Sequence, residues 1–181
     1  MLRRSLLAVT MCAAAAFAAG NLPRKAPEFV IKQPNGGQKL LSQYRGKVVV
    51  MEFLLTTCPH CKGTSRLMTR LQADYGSRGL VCLGVAINDG AQYSIPAYVK
   101  ETGANFLVGY SDRDPVLGML QHPANKSLLV PRLAFIDRHG MFRFDHGGGN
   151  DDEFFKNEEK IMRSLIEQML GPARKTPIKK K

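Results

Sequence analysis

Residues 48–54, Val-Val-Val-Met-Glu-Phe-Leu, constrain the fold more than any other segment. The run is β-branched and almost wholly apolar, the pattern of a central strand covered on both faces. A second run of this kind occupies 80–87. Between them, 58–75 switches to helical spacing, with Leu67, Met68 and Leu71 on one side and Arg66 and Arg70 elsewhere; Gly76 and Gly79 supply the stop. A helix over 95–101, a strand over 106–110 and a short helix over 114–121 continue the alternation. Strands at 133–136 and 141–145 are then joined by the turn Asp137-Arg138-His139-Gly140, and a last helix runs from about 151 to 170. Acids crowd the start of that helix, matching its dipole, and Gly171-Pro172 stops it. Upstream, 21–27 carries two prolines and reads as an irregular lead-in. Short strands at 29–31 and 39–41 flank Pro34-Asn35-Gly36-Gly37, a set of residues suited to a hairpin turn. The expected class is α/β: a mixed central sheet flanked by helices, with an N-terminal β-hairpin extension.

At the junction of the first strand and the first helix stands Cys58-Pro59-His60-Cys61. Disulfide exchange needs a thiolate, yet a free cysteine ionises only at roughly pH 8.5. A helix N-terminus aims unpaired backbone N–H groups and the positive dipole end at a sulfur placed there, and both favour the anion. Two intervening residues bring Cys61 back by one turn, so one sulfur can attack a partner and the other resolve the mixed disulfide. Pro59 suits the first helical turn because it has no N–H to leave unpaired. A protonated His60 adds a charge of the right sign.

Glu52 interrupts the apolar strand six residues before Cys58. Burying a carboxylate without a partner is costly and raises its pKa. Its expected role is to pass a proton, through water, to or from Cys61. An edge-facing, solvated glutamate is the blander alternative, which the flanking apolar residues disfavour.

Residues 1–20 form a separate unit. Arg3 and Arg4 precede an apolar stretch, and Ala16-Phe17-Ala18 fits a small-x-small cleavage site, the three parts of a secretory signal peptide. An uncleaved anchor is the other reading, although the apolar stretch is short for a membrane span. Export makes stable disulfides permissible. Cys12 would leave with the signal, so that Cys58, Cys61 and Cys82 remain, too few for a structural disulfide framework. Cys82 lies among Val81, Leu83 and Val85 and reads as a buried strand thiol. The formal charge of +11 owes seven of its units to Arg3, Arg4 and the five cations after Gly171. That concentration in the ends argues against a nucleic-acid-binding face and leaves weak contact between the 171–181 tail and an anionic membrane as an option. One domain, 26–170, is expected between signal and tail.

Ala26-Pro27-Glu28-Phe29, Tyr44-Arg45-Gly46-Lys47-Val48-Val49-Val50, the Cys-Pro-His-Cys centre and Val130-Pro131-Arg132-Leu133-Ala134-Phe135-Ile136-Asp137 fall in the order found in the thioredoxin superfamily. The chain resembles especially its exported TlpA/ResA-like branch, related to the AhpC/TSA group, over about 26–170. The resemblance implies a thioredoxin-like fold and a periplasmic thiol–disulfide oxidoreductase working on protein thiols and disulfides with a redox partner protein. It needs no cofactor or metal beyond the Cys58–Cys61 disulfide. It also implies that Pro131 is cis and faces the cysteine pair, and that Val130 offers backbone groups to a bound substrate chain. Two features depart from most relatives. Thr57 replaces the usual Trp before the first cysteine, and Pro59-His60, with Val130 before the proline, is the combination of the disulfide-donating oxidase DsbA. The scaffold suggests a reductase and the dipeptide an oxidase.

Other chemistries fit less well. A structural metal site needs about four ligands, usually from two paired motifs, and there is a single CxxC with His122, His139 and His146 scattered. A peroxiredoxin-like peroxidase would carry Pro and Thr where Met51 and Leu55 stand. The main alternative is a Sco-like copper carrier, since thiolates and imidazole suit copper and His146 precedes Gly147-Gly148-Gly149. That family uses a longer cysteine spacing. His122 and His139 read as surface turn residues.

Overall fold

The computed structural model describes residues 22–148 and 151–172. The signal segment and most of the basic tail lie outside the described residues. Eight strands form one sheet in the order β1-β8-β7-β4-β5-β6-β2-β3. They are β1 (Arg24–Lys25), β2 (Val30–Lys32), β3 (Gln38–Leu40), β4 (Val48–Leu54), β5 (Leu80–Ala86), β6 (Leu107–Tyr110), β7 (Arg132–Ile136) and β8 (Met141–Gly147). The helices are α1 (Pro59–Tyr75), α2 (Ala91–Thr102), α3 (Arg113–Leu120), α4 (Asp152–Lys156) and α5 (Glu158–Leu170).

β4 and β5 pair in parallel along their whole length, and β6 extends the parallel set. Parallel neighbours need a crossover, which α1 and α2 provide. β7 runs antiparallel to β4, with Phe53 opposite Arg132 and Glu52 opposite Leu133, and β8 returns beside β7. That reversal decides where the chemistry lies. It puts the start of β7, just after Val130-Pro131, beside the end of β4 that leads into Cys58.

Every residue of β4 is buried, and side chains alternate across the sheet. Val49, Met51 and Phe53 enter a core with Phe29, Ile31, Val85, Val116 and Met119, on the side of α3. Val48 and Val50 enter the opposite core with Leu67, Met68 and Leu71 of α1 and Met162 and Ile166 of α5. Fully burying each such side chain contributes roughly 1.5–3 kcal/mol. By this parity Glu52 shares the face of Val48 and Val50 and points at α1. Cys82 is fully buried in that same core.

The hairpin extension is present as β2–β3, docked onto β6 through Lys32 and Tyr110. Three expectations need correction. The lead-in is not wholly irregular, because Arg24 and Lys25 pair with Phe142 and Met141 as β1 and close the far edge of the sheet. Backbone pairing, not side-chain pattern, makes that strand. The last helix is two: α4 ends at Lys156, and Asn157 (φ −123°, ψ 23°) turns the chain before α5. Phe154 and Met162, one on each side of the break, both lie in the core beneath α1. His122 is not a free surface residue; it is half-buried, and its Nε2 is enclosed without a hydrogen-bond partner.

Candidate active site

Cys58 is the N-cap of α1, with extended backbone (φ −76°, ψ 119°), and Pro59 occupies the first helical position. Its sulfur accepts a hydrogen bond from the backbone N–H of Cys61 at 3.3 Å. That N–H is one of the donors a helix start leaves unpaired, so the sulfur stands where an anion is best received. The Cys58 N–H donates to Leu55 O at 3.0 Å, which fixes the loop leaving β4. Thr56, two residues earlier, is buried and tied down: its N–H donates to Asn88 Oδ1 (2.9 Å), and its hydroxyl meets Ser94 Oγ (2.9 Å). The cysteine loop thereby rests on the β5–α2 connection.

The two cysteines are unequal. Cys58 is partly exposed, whereas Cys61 is fully buried against Leu54, Ala86 and Tyr98. Burial pushes the Cys61 thiol far above its ordinary range, and its hydrogen bond with Cys58 pushes it further. Pro59 and His60 are exposed. The His60 ring sits 4.2 Å from the ring of Phe155, so the imidazole is carried on the α4 segment.

Glu52 lies behind the pair with no exposed surface. Its Oε2 accepts from Ser65 Oγ at 2.6 Å, and Ser65 Oγ is 2.8 Å from the Tyr98 hydroxyl. Oε1 is buried with no hydrogen-bond partner among the described residues. Burial raises this carboxyl well above the usual range; Ser65 pulls it back in part, and the nearby charges of Glu158 and Cys58 raise it further. The solvated-glutamate alternative is therefore excluded. One residue before Ser65, Thr64 Oγ1 donates to Glu158 at 2.6 Å. Glu158 is raised by burial and pulled back by Thr64 and by the charges of His60 and Arg70.

Val130–Pro131 is a cis peptide. Pro131 is buried, and Val130 packs on the cluster that holds Cys61. Gly147 ends β8 beside it and Gly148 follows; the Gly148 N–H donates to Pro131 O at 2.9 Å, and a Cβ at Gly147 would strike the same oxygen. Arg132 locks this region through Asp145 (2.6 and 2.7 Å) and Gly147 O (2.8 Å).

The structure thus brings Cys58, Cys61, Glu52, Val130 and Pro131 to one end of the sheet, with Pro59 and His60 on the outer surface. It does not bring His146 into a ligand set. His146 Nδ1 is 3.1 Å from Asp151 Oδ2, and its ring stacks on Phe154 at 4.7 Å. Among the described residues no group of three or more His, Cys, Asp or Glu side chains is arranged to hold a metal ion. Sequence reading missed Ser65, Tyr98, Thr64 and Glu158. A pair of hydroxyls, Thr64-Ser65, between Cys61 and Leu67 on the apolar side of α1 was the available signal.

Residues 22–165 match the Redoxin family. The chain is 30% identical over 115 residues to the thiol-disulfide oxidoreductase ResA of Geobacillus kaustophilus, covering 64% of this chain and 63% of that protein. It is 26% identical over 116 residues to the thiol:disulfide interchange protein DsbE of Escherichia coli, covering 64% and 58%. The matches therefore span a little under two thirds of these relatives' own length. Among solved structures, a thiol:disulfide interchange protein of the thioredoxin family from Chlorobium tepidum superposes with a TM-score of 0.66 at 22% identity, over 84% of this chain and all of that one. The fold is thioredoxin-like, and the chain belongs to the Redoxin family.

Proposed function

We propose that this protein is an extracytoplasmic thiol–disulfide oxidoreductase that exchanges disulfides with protein substrates through Cys58 and Cys61. The observation that carries the reading is the asymmetry of the pair: Cys58 is accessible at the N-cap of α1, while Cys61 is buried next to a buried carboxyl. In the reducing direction the Cys58 thiolate attacks a substrate disulfide, forms a mixed disulfide and expels one substrate thiolate. Cys61 then gives its proton to the Glu52 carboxylate and attacks Cys58 Sγ, which releases the second substrate thiolate and leaves the Cys58–Cys61 disulfide. Two electrons pass to the substrate. Oxidation of a substrate dithiol runs the same steps backwards, with protonated Glu52 returning its proton to Cys61. Val130, held by the cis bond to Pro131, offers its backbone to the substrate segment beside Cys58. ResA and DsbE, by their names, act in such interchange. Residues 1–20 carry the export signal on this reading, and mass spectrometry of the mature N-terminus in a periplasmic fraction tests it.

Cys61→Ser should trap a mixed disulfide on Cys58 that a Cys58→Ser variant cannot form; failure to trap any partner, with no reversible Cys58–Cys61 disulfide in the wild type, overturns the proposal. Equilibration with glutathione gives the direction. A potential near thioredoxin's, about −270 mV, favours a reductase, and one near DsbA's, about −120 mV, a disulfide donor.

A further inference from the structure

The hydroxyls beneath the cysteine pair form a chain with a defined direction. Ser65 has a single hydroxyl hydrogen, and it is given to Glu52 Oε2 at 2.6 Å. The 2.8 Å contact between Ser65 Oγ and the Tyr98 hydroxyl must then be donated by Tyr98. The opposite order would put a proton on Oε2, turn Ser65 toward Tyr98, and require an acceptor for the Tyr98 hydrogen. Among the described residues, no hydrogen bond other than that to Ser65 engages the Tyr98 hydroxyl. All three side chains are at least 98% buried, Tyr98 being 2% exposed and Glu52 and Ser65 0%, so solvent does not supply that acceptor.

We propose that Ser65 and Tyr98 are positioning residues for the exchange reaction: a two-hydroxyl relay that saturates Oε2 of Glu52 and confines the transferred proton to Oε1. The inference rests on the thiol-exchange reading and deepens it by assigning the proton to one atom. Oε1 is buried and otherwise unpartnered, so a carboxyl proton there is free to move to or from Cys61. Oε2 acts as an anchor. During resolution the Cys61 S–H bond breaks, the Oε1–H bond forms, and the Cys61 thiolate displaces the substrate sulfur from Cys58; the substrate thiolate leaves with the electron pair.

The titratable groups coupled to Glu52 are Cys58 and Cys61 from α1, Tyr98 from α2, Cys82 from β5 and Glu158 from α5. Of these, only Tyr98 reaches the carboxyl through a hydrogen-bonded hydroxyl. Position matters too. Ser65 lies four residues after Cys61, one turn further along α1, so the hydroxyl that donates to Glu52 and the resolving sulfur ride on one helix.

Two variants and two readouts test this. The carboxyl carbon of Glu52 is followed by NMR in the reduced wild type, Ser65→Ala and Tyr98→Phe, and the pH profile of mixed-disulfide resolution is measured in parallel. Removing the Ser65 donor should move the Glu52 titration up by about one pH unit. Tyr98→Phe, which keeps the ring, should move it the same way by less, because it only weakens the Ser65 donor. The resolution profile should follow, with the rate at neutral pH falling roughly threefold to tenfold in Ser65→Ala. If both variants lose stability while the Glu52 titration stays in place, the hydroxyls are structural and the proposal falls. A titration that moves without the resolution profile overturns proton transfer through Glu52. Absence of any reversible disulfide in the wild type overturns the exchange reading instead, and the NMR titration still decides the relay.

Discussion

Glu52→Gln should change how stability depends on pH, by an amount that follows from burial. In the unfolded chain a glutamate titrates near pH 4.3. In the fold Glu52 is wholly buried, and its carboxyl is raised well above the ordinary range, first by desolvation. Between those two pKa values the folded chain binds one proton more than the unfolded chain. Stability therefore falls as pH rises through the window, by about 1.4 kcal/mol per pH unit. The glutamine variant lacks that slope. As pH rises from the ordinary carboxylate range toward the folded pKa, the variant should gain on the wild type by that slope. A constant offset is superimposed: the amide places an N–H₂ group where the unpartnered Oε1 stood, and an unpaired buried donor costs about 1–3 kcal/mol at every pH. The slope, not the offset, is diagnostic. Urea unfolding of the reduced proteins across that range measures it. A stability difference that stays flat with pH would show that Glu52 is ionised throughout, and would refute the account of a carboxyl kept neutral by burial.

Other substitutions probe the supports of the site. Phe154→Ala removes a 1% exposed ring that stacks on His146 and meets Phe155 edge-on; it should cost about 3–5 kcal/mol in urea unfolding, and a loss below about 1 kcal/mol would mean that α4 is not anchored by this residue. Arg132→Met leaves Asp145, 18% exposed, without its bidentate partner; about 1–3 kcal/mol should be lost, with faster proteolysis of the segment around residues 147–151 as the local readout. Gly109→Ala puts a methyl against Lys32 O and Ile31 Cγ2; amide exchange should speed up in β2 and β3 while β4 and β5 stay protected, at a cost of about 1–3 kcal/mol.

The parts of this architecture that were legible in the sequence are those written in side-chain pattern. β4 and β5 are apolar on both faces because both faces are covered, and α1 follows from the spacing of Leu67, Met68 and Leu71. Glu52 stood out because it breaks such a pattern. What escaped was set by tertiary pairing. β1 has only two residues and exists because Met141 and Phe142 offer it an edge. The Asn157 break falls where no proline or glycine stands, so the helical pattern runs through it unannounced. Ser65 and Tyr98 read as an ordinary helix hydroxyl and an ordinary core aromatic. Their meaning comes from α1 and α2 crossing over the same strand residue, a coincidence of three segments separated by 13 and 33 positions.

The buried position of Cys61 bears on why a carboxyl should be buried with it. A thiol enclosed by Leu54, Ala86 and Tyr98 is a poor anion, and burial holds it protonated. In the proposed exchange it would, unaided, be a slow resolving nucleophile, because attack on the mixed disulfide requires the thiolate. Solvent cannot take the proton from a side chain with no exposed surface, so the base has to be inside as well. A carboxylate that stayed ionised would be a weak base for this thiol and costly to bury. Raised by the same enclosure, Glu52 comes closer in proton affinity to Cys61, and transfer between them becomes nearer to even. Cys58 is placed differently, partly exposed at the start of α1, with its sulfur accepting the Cys61 N–H. On the proposed exchange the two sulfurs take different roles from where the strand ends and the helix begins, and the carboxyl in β4 is the base for the inner one.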